Sequence, residues 1–186
     1  MLDLDLHILH ATPSDAEALS RLSAAVFPLG CPANTPPSDL ADYISREHTP
    51  DRYRTMLQDK RFRILIAKVA SPITHQLAGL ALLVQAPAPP EMPSPSQLEL
   101  RRFYIDAPFH GRGVSHALMK ATLSAASEMR EPSVWLSSFS GNARAIAFYR
   151  RWGFRIVAEH DFIVGTDRQR DYLMLCQSPD PRLHES

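Results

Sequence analysis

The sequence predicts a mixed α/β fold, in which strands of both pairing types alternate with helices. The first observation is that strand-like and helix-like segments follow one another along the whole chain, which is typical of this fold class. The second is composition, because 45% hydrophobic and 22% charged residues are the proportions of an ordinary globular core. The third is length, because 186 residues predict a single domain over residues 1–186.

The first third of the chain predicts one strand and three helices. The strand is expected at about Leu4–His10, and the first helix follows Thr12 as N-cap, with Asp15 at the capping-box position. Its apolar residues recur at helical spacing: Ala18, Leu19, Leu22, Val26 and Phe27. Ser38 is expected to start the second helix and Thr49 the third.

The middle of the chain predicts strands separated by a proline-rich loop. Two strands are expected at Phe62–Val69 and Leu77–Gln85, and a third at Gln97–Ile105. Residues 87–96 between them are predicted to be a surface loop, because proline lacks the N–H that a helix or a central strand requires. A glycine-containing turn then leads into a helix from about Val114 to Met129.

The last third predicts a short strand, a helix and a hairpin. The strand is expected at Val134–Ser137 and the helix at Asn142–Trp152. Phe154–Val164 and Asp171–Cys176 are then expected to pair as a hairpin. Residues 178–186 are predicted to form a flexible tail.

Charge and composition argue against several classes of protein. Twenty Lys and Arg balance twenty Asp and Glu, so a nucleic-acid binder that relies on phosphate neutralisation is not expected. All apolar runs fall far short of the roughly 18 residues of a membrane helix, and the N-terminus lacks the basic start of a secretory signal. We therefore expect a cytoplasmic protein that binds neither nucleic acid nor membrane.

Cysteine and histidine usage predicts neither a disulfide scaffold nor a metal site. Cys31 and Cys176 are too few for a disulfide framework or a zinc ribbon. The eight histidines are scattered, with no His-Glu-x-x-His or Cys/His pairing, so no metal is expected.

The segment before the fourth long helix predicts a phosphate site. Gly111-Arg112-Gly113 follows a strand and opens a helix, so its backbone N–H groups and the helix dipole would favour an anion, with Arg112 as an additional cation. A P-loop is excluded because the chain contains no Gly-Lys pair. A dinucleotide fingerprint would need a small residue where His116 stands. The remaining candidate is the pyrophosphate loop of coenzyme A transferases.

Two motifs resemble the GNAT superfamily of acetyl-CoA-dependent N-acetyltransferases. His110-Gly-Arg-Gly-Val-Ser115 resembles the family's Gln/Arg-x-x-Gly-x-Gly/Ala loop, although His110 replaces Gln or Arg and Ser115 replaces Gly or Ala. Residues 141–154 (GNARAIAFYRRWGF) resemble the family's second block, at the expected distance after the loop. The resemblance covers about residues 62–176 and implies a mostly antiparallel sheet of about seven strands flanked by helices.

The resemblance also implies where acetyl-CoA would bind. Backbone groups of Phe103, Tyr104 and Ile105 would pair with the pantetheine arm, and one N–H could serve the oxyanion. Asn142 would bind the same arm, although helix capping explains this residue equally well. The pyrophosphate would lie on the loop residues His110, Gly111, Arg112, Gly113, Val114 and Ser115.

Two residues are candidates for proton transfer. Tyr149 lies seven residues after Asn142 on the same helix face, and a phenol that is protonated at neutral pH can give its proton to the leaving thiolate. The family places a contact to the CoA sulfur at this tyrosine; the alternative is a core aromatic. Glu99 is the candidate base, although Arg101 on the same strand could pair with it and give it a structural role.

The acceptor is predicted to be a small amine. Residues 35–43 and 159–174 resemble the bacterial spermine/spermidine acetyltransferase subgroup, which implies a polyamine-like acceptor. Tyr43, with Asp39 and Asp42, could recognise it, although a solvated acidic face explains these residues equally well. The alternatives are a protein N-terminal or lysine acetyltransferase and a non-catalytic acyl-CoA-binding regulator. A homodimer and a monomer both remain open.

Overall fold

The computed structural model of the protein describes residues 4–70, 75–92, 98–177 and 179. Within these ranges the helices are α1 Ala16–Val26, α2 Pro37–Glu47, α3 Pro50–Gln58, α4 Val114–Glu128 and α5 Ala143–Arg151. The strands are β1 Leu6–His10, β2 Phe62–Ala70, β3 His75–Gln85, β4 Leu98–Ile105, β5 Val134–Phe139, β6 Arg155–Val164 and β7 Asp167–Cys176. None of these helices is long and apolar enough to span a membrane.

All seven strands form one sheet in the order β1-β2-β3-β4-β5-β7-β6. Every neighbouring pair is antiparallel except β4 and β5, which are parallel. Their ladder contains a single paired position, where Glu99 lies opposite Trp135. Beyond it the two strands no longer pair, so a gap opens in the middle of the sheet toward the C-terminal ends of both strands.

Two helical layers cover the sheet. Helices α4 and α5 pack on one face, where Leu118, Met119 and Leu123 are fully buried against the strands. Helices α1 and α3 pack on the opposite face, where Leu19 and Tyr53 are fully buried. Because burial of such a side chain stabilises the fold by about 1.5–3 kcal/mol, both layers are held mainly by apolar contact with the sheet.

A β-bulge in β4 decides which side chains face which layer. Arg102 pairs with Leu82 and Leu100 pairs with Leu83, so Arg101 is an extra residue on β4. Leu100 and Phe103 therefore both face α4 and α5, although three positions separate them. Arg102 and Tyr104 face the opposite side, toward α1 and α3.

The predicted mixed α/β fold is confirmed, with small differences at element ends. The first helix starts as a 3-10 turn at Pro13–Asp15, where the Asp15 carboxylate accepts a 2.8 Å hydrogen bond from the Thr12 N–H. Strand β7 begins at Asp167, four residues earlier than predicted, because residues 167–170 are all polar and show no alternation of apolar and polar side chains. Parts of the predicted proline-rich loop (residues 93–96) and nearly all of the predicted tail lie outside the described residues.

Candidate active site

The turn before α4 presents a row of unpaired backbone donors. Gly111 and Gly113 have φ angles of 71° and 83°, in the left-handed region that favours glycine. Within the described part of the chain, no acceptor pairs with the backbone N–H groups of Gly111, Gly113, Val114, Ser115 and His116. A Cβ atom at either glycine would meet no atom within 4 Å, so the space in front of these donors is open. This geometry suits a bulky anion at the positive end of the α4 dipole.

His110 connects this turn with β4 and α5. Its Nε2 lies 3.0 Å from the Ile105 carbonyl oxygen, so Nε2 carries the proton and donates. Its Nδ1 then accepts from Arg144 Nη1 at 3.2 Å. The histidine that replaces the family's Gln or Arg therefore holds the exposed Arg144 side chain beside the turn, where a second cation adds to Arg112.

The edge of β4 that faces the gap offers backbone groups of alternate residues. The Asp106 N–H donates to the Ala78 carbonyl on β3 at 2.9 Å. Because backbone groups alternate in direction along a strand, Tyr104 also turns its N–H and C=O toward β3. Phe103 and Ile105 instead turn theirs toward the gap, with the Ile105 carbonyl already bound by His110. Only Phe103 and Ile105 of the three predicted residues thus have backbone groups available there.

Helix α5 brings Asn142 and Tyr149 to the gap from the α4 side. The Asn142 side-chain oxygen accepts from the Ala145 N–H at 3.1 Å and caps the helix. The Tyr149 ring lies edge-on to Phe103 on β4, with 6.4 Å between the ring centroids. Burial raises the pKa of the Tyr149 phenol above its usual value, so the hydroxyl stays protonated at neutral pH.

Glu99 forms the ion pair that the sequence offered as an alternative. Arg101 Nε and Nη2 both bind the same Glu99 oxygen, Oε2, at 2.9 and 2.6 Å. The Glu99 side chain is 13% exposed and that of Arg101 39%. This pairing favours the structural role of Glu99 over the role of base, because both hydrogen bonds occupy the carboxylate with a partner on its own strand.

Tyr43 lies on the opposite face of the sheet, in an aromatic cluster. Its ring stacks on Phe27 with 4.6 Å between centroids and meets Phe162 of β6 edge-on at 5.9 Å. Burial raises the pKa of its phenol. The neighbouring Asp39 is occupied, since its Oδ2 accepts 2.7 Å hydrogen bonds from the Thr166 N–H and hydroxyl and so fastens α2 to the β6–β7 turn. Asp39 thus has a structural partner, whereas Asp42 is exposed on the helix.

A buried polar cluster beside Tyr43 was not predicted from the sequence. Arg102 is only 7% exposed, donates through Nη2 to the Glu47 carbonyl at 2.9 Å and lies over the Tyr53 ring. His48 is 2% exposed, and neither of its ring nitrogens has a hydrogen-bond partner among the described residues. The bulge in β4 turns Arg102 toward α1 and α3, and the hydrophobic pattern alone does not reveal a bulge.

His48 should make stability depend on acidity. Burial, and secondly the charge of Arg102, lower its pKa from 6.5 to about 3, so the folded protein binds fewer protons than the unfolded chain between these values. The contribution of His48 to the free energy of unfolding is complete above pH 6.5 and is lost as the pH falls through that window, by about 1.4 kcal/mol per pH unit. Urea unfolding at pH 7.5 and 5 should show this slope, and His48→Phe should flatten it. An equal slope in the variant would exclude His48 as the source.

A second polar group was also not predicted from the sequence. It consists of Ser137 on β5, Asp171 on β7 and His160 on β6, which are joined by hydrogen bonds. No cluster of three His, Cys, Asp or Glu side chains that could hold a metal is found in residues 4–70, 75–92 and 98–177.

Comparison with known proteins gives one consistent result. Residues 34–154 match the sequence pattern described as the acetyltransferase (GNAT) family. An uncharacterized N-acetyltransferase of Mycobacterium tuberculosis is 30% identical over 162 residues, which cover 87% of this chain and 97% of that protein. A spermine/spermidine N(1)-acetyltransferase of Bacillus subtilis is 32% identical over 87 residues, 46% of this chain and 57% of that protein.

The fold is similar to that of a solved relative. The crystal structure of the PaiA N-acetyltransferase from Thermoplasma acidophilum in complex with coenzyme A superposes with a TM-score of 0.71 at 14% identity, over 93% of this chain and 99% of that one.

Proposed function

Because this chain belongs to the acetyltransferase (GNAT) family, we propose that it transfers an acetyl group from acetyl-CoA directly to a primary amine, and that this amine is a small polyamine-like molecule. The observation that carries the donor assignment is the row of unpaired N–H groups at the start of α4. The likeness to the Bacillus subtilis spermine/spermidine enzyme supports the acceptor class.

The turn before α4 fits a pyrophosphate. Its five unpaired N–H groups lie at the positive end of the α4 dipole, and its two glycines leave the space in front of them open. Arg112 and Arg144 are exposed beside it. Gly111, Arg112, Gly113, Val114 and Ser115 would bind the anion, and His110 would hold Arg144 in place.

The gap between β4 and β5 fits an extended amide-containing chain. The Phe103 N–H and C=O and the Ile105 N–H are available on the β4 edge, and the Asn142 side-chain amide, whose oxygen caps α5, can donate from the other side. The donor supplies a thioester carbonyl for the amine to attack. A backbone N–H of the β4 edge would stabilise the charge that develops on its oxygen.

Tyr149 would act as the acid toward the leaving thiolate, and the acceptor amine would bind on the face of the sheet where Tyr43 lies. Tyr149 and Tyr104 lie on opposite faces of the sheet, and Tyr149 is close enough to contribute to the raised pKa of Tyr104, after burial as the main cause. Tyr149 would therefore meet the leaving sulfur from the α5 side. The amine would approach from the side of Tyr43, whose aromatic cluster can hold a cationic chain by cation–π contact.

A screen of acetyl-CoA consumption tests the proposal. Spermidine, spermine, amino acids, arylamines and peptides with free N-termini or lysines would be compared at the same concentration. We expect the highest kcat/KM with a polyamine. Turnover of peptides alone would assign a protein acceptor, and tight CoA binding without turnover of any amine would indicate a regulator.

A further inference from the structure

Three polar side chains form a hydrogen-bonded chain across β5, β7 and β6. Ser137 Oγ donates to Asp171 Oδ2 at 2.7 Å, and His160 Nε2 lies 2.7 Å from the same Ser137 oxygen. Because the serine gives its single proton to the carboxylate, His160 Nε2 must carry the proton of the second bond. The histidine thus fixes the direction of the hydroxyl, and one lone pair of Oγ remains free.

These three hydrogen-bonded side chains lie next to the gap between β4 and β5, on the face of the sheet where the proposed acceptor would bind. Ser137 comes two residues after Trp135, the last position where β5 pairs with β4, and therefore shares a face with Trp135. Phe139, two residues further along β5, pairs with Asp171 on β7, and Asp171 pairs with His160 on β6. The side chains of Ser137, Asp171 and His160 therefore lie on three adjacent strands about 4.8 Å apart. This is the face of Tyr43 and Phe162, opposite Tyr149.

Asp171 is buried and incompletely paired. It is 5% exposed, and its Oδ1 has no hydrogen-bond partner among the described residues. The groups that face it are Ser137 from β5, His160 from β6 and Cys31 from the turn after α1, with Asp167 of its own strand also close to Cys31. In contrast, Ser137 is half-buried and is therefore more exposed than the Asp171 to which it donates.

We propose that Ser137 takes the proton of the acceptor ammonium and passes its own proton to Asp171, while His160 orients the hydroxyl. This inference rests on the proposed amine acceptor. One N–H bond of the ammonium breaks as an O–H bond forms at Ser137 Oγ, and the original Ser137 O–H bond breaks as a bond forms at Asp171 Oδ2. The ammonium becomes a nucleophilic amine and the carboxylate becomes a carboxylic acid. After the product leaves, the proton returns through Ser137 to water.

The surroundings of Asp171 suit a proton acceptor better than those of Glu99. Burial raises the pKa of Asp171, while the Ser137 hydrogen bond and the His160 ring lower it in part. The pKa of the group thus moves toward that of a base that works near neutral pH. Glu99, by comparison, is bound twice by Arg101. Ser137 is the catalytic residue of this relay, and Asp171 and His160 act through it.

The pH dependence of kcat/KM tests the relay, with the amine identified in the acceptor screen. In the wild type, log kcat/KM should rise with a slope of one below the pKa of Asp171 and level off above it, because the relay needs an ionised Asp171 and a bound ammonium. Ser137→Ala and Asp171→Asn should each lower kcat/KM about 100-fold at neutral pH and replace the plateau by a rise that continues to the pKa of the amine, which must then lose its proton to water. The double variant should be no worse than either single one, since the two groups act as a unit.

Conservative variants separate the relay from a structural role. Ser137→Thr keeps the hydroxyl and His160→Gln keeps a donor, so both should stay within about threefold of wild type, whereas His160→Leu should lose about tenfold. Ser23→Ala, which removes a buried hydroxyl bonded within α1, is the matched control and should leave kcat/KM and its pH profile unchanged. CoA affinity should be equal in all variants. A wild-type profile in Ser137→Ala, or loss of the plateau in Glu99→Gln alone, would overturn the relay.

A titration of Asp171 tests the relay without requiring enzyme turnover, so failure of the relay can be distinguished from failure of the proposed function. Carbon-13 NMR of the Asp171 carboxyl should show its pKa rising in Ser137→Ala, because the hydrogen bond that favours the ionised form is lost. An unchanged titration would show that the bond is absent and would refute the relay, even in a protein that acetylates amines. A wild-type protein that acetylates no amine would instead refute the proposed function.

Discussion

Replacing Tyr149 with phenylalanine should lower kcat about 100-fold while CoA affinity changes by less than about threefold. The variant removes only the hydroxyl and keeps the ring that packs edge-on against Phe103. Because burial raises the pKa of this phenol, the hydroxyl is protonated over the whole working range. The same dry surroundings raise the pKa of a thiol leaving group, so the phenol remains a competent acid toward it.

The matched control for this variant is Tyr53→Phe. Tyr53 is fully buried beneath Arg102 in α3 and cannot touch a substrate, so the loss of its hydroxyl should affect stability and not kcat. Steady-state kinetics and CoA titration of both variants decide the role. A wild-type kcat in Tyr149→Phe would make Tyr149 a packing residue only.

Replacing Gly113 with valine should raise the CoA dissociation constant at least about 100-fold. The φ angle of 83° is strained for any side chain and most for a β-branched one, by about 1–2 kcal/mol, or roughly tenfold in affinity if the turn rearranges. The added side chain would also project into the open space in front of the unpaired N–H groups. Both effects act on the anion site and leave the sheet intact.

Gly30→Val is the control for that variant. A Cβ at Gly30 also meets no atom within 4 Å, and Gly30 lies in the turn after α1, away from α4. Calorimetric CoA titration should give a wild-type affinity for Gly30→Val. An unchanged affinity in Gly113→Val would mean that the pyrophosphate does not lie on this turn.

Local patterns predicted the features that depend on a few consecutive residues. The Thr12–Asp15 cap, the start of α4 at Val114 and the Asn142 cap of α5 are all present. Each depends on backbone geometry and on hydrogen bonds that reach no more than four residues along the chain, and residue type reports both. For the same reason, the sequence was least accurate where distant contacts hold a segment. The early start of β7 follows a turn that Asp39 fastens from α2, more than a hundred residues away.

The partners of two ionisable residues were decided by side-chain contacts in the folded protein. The sequence offered Glu99 as base or ion-pair partner, and the 2.6 Å contact with Arg101 favours the second. His110 and Arg144 are 34 residues apart, yet they share a hydrogen bond beside the α4 turn. Charge and spacing along the sequence do not reveal these contacts, because the contacts depend on how the side chains are oriented in the folded protein.

The sequence by itself determined the fold class, the glycine turn before α4 and the helix that carries Tyr149, because these depend on local periodicity and on residues with restricted backbone conformations. Only the tertiary structure decided that β4 and β5 part after Glu99, that a bulge turns Arg102 toward α1 and α3, and that Ser137, Asp171 and His160 meet across three strands. Strand register sets all three. It is fixed by the packing of the whole sheet and not by any one segment.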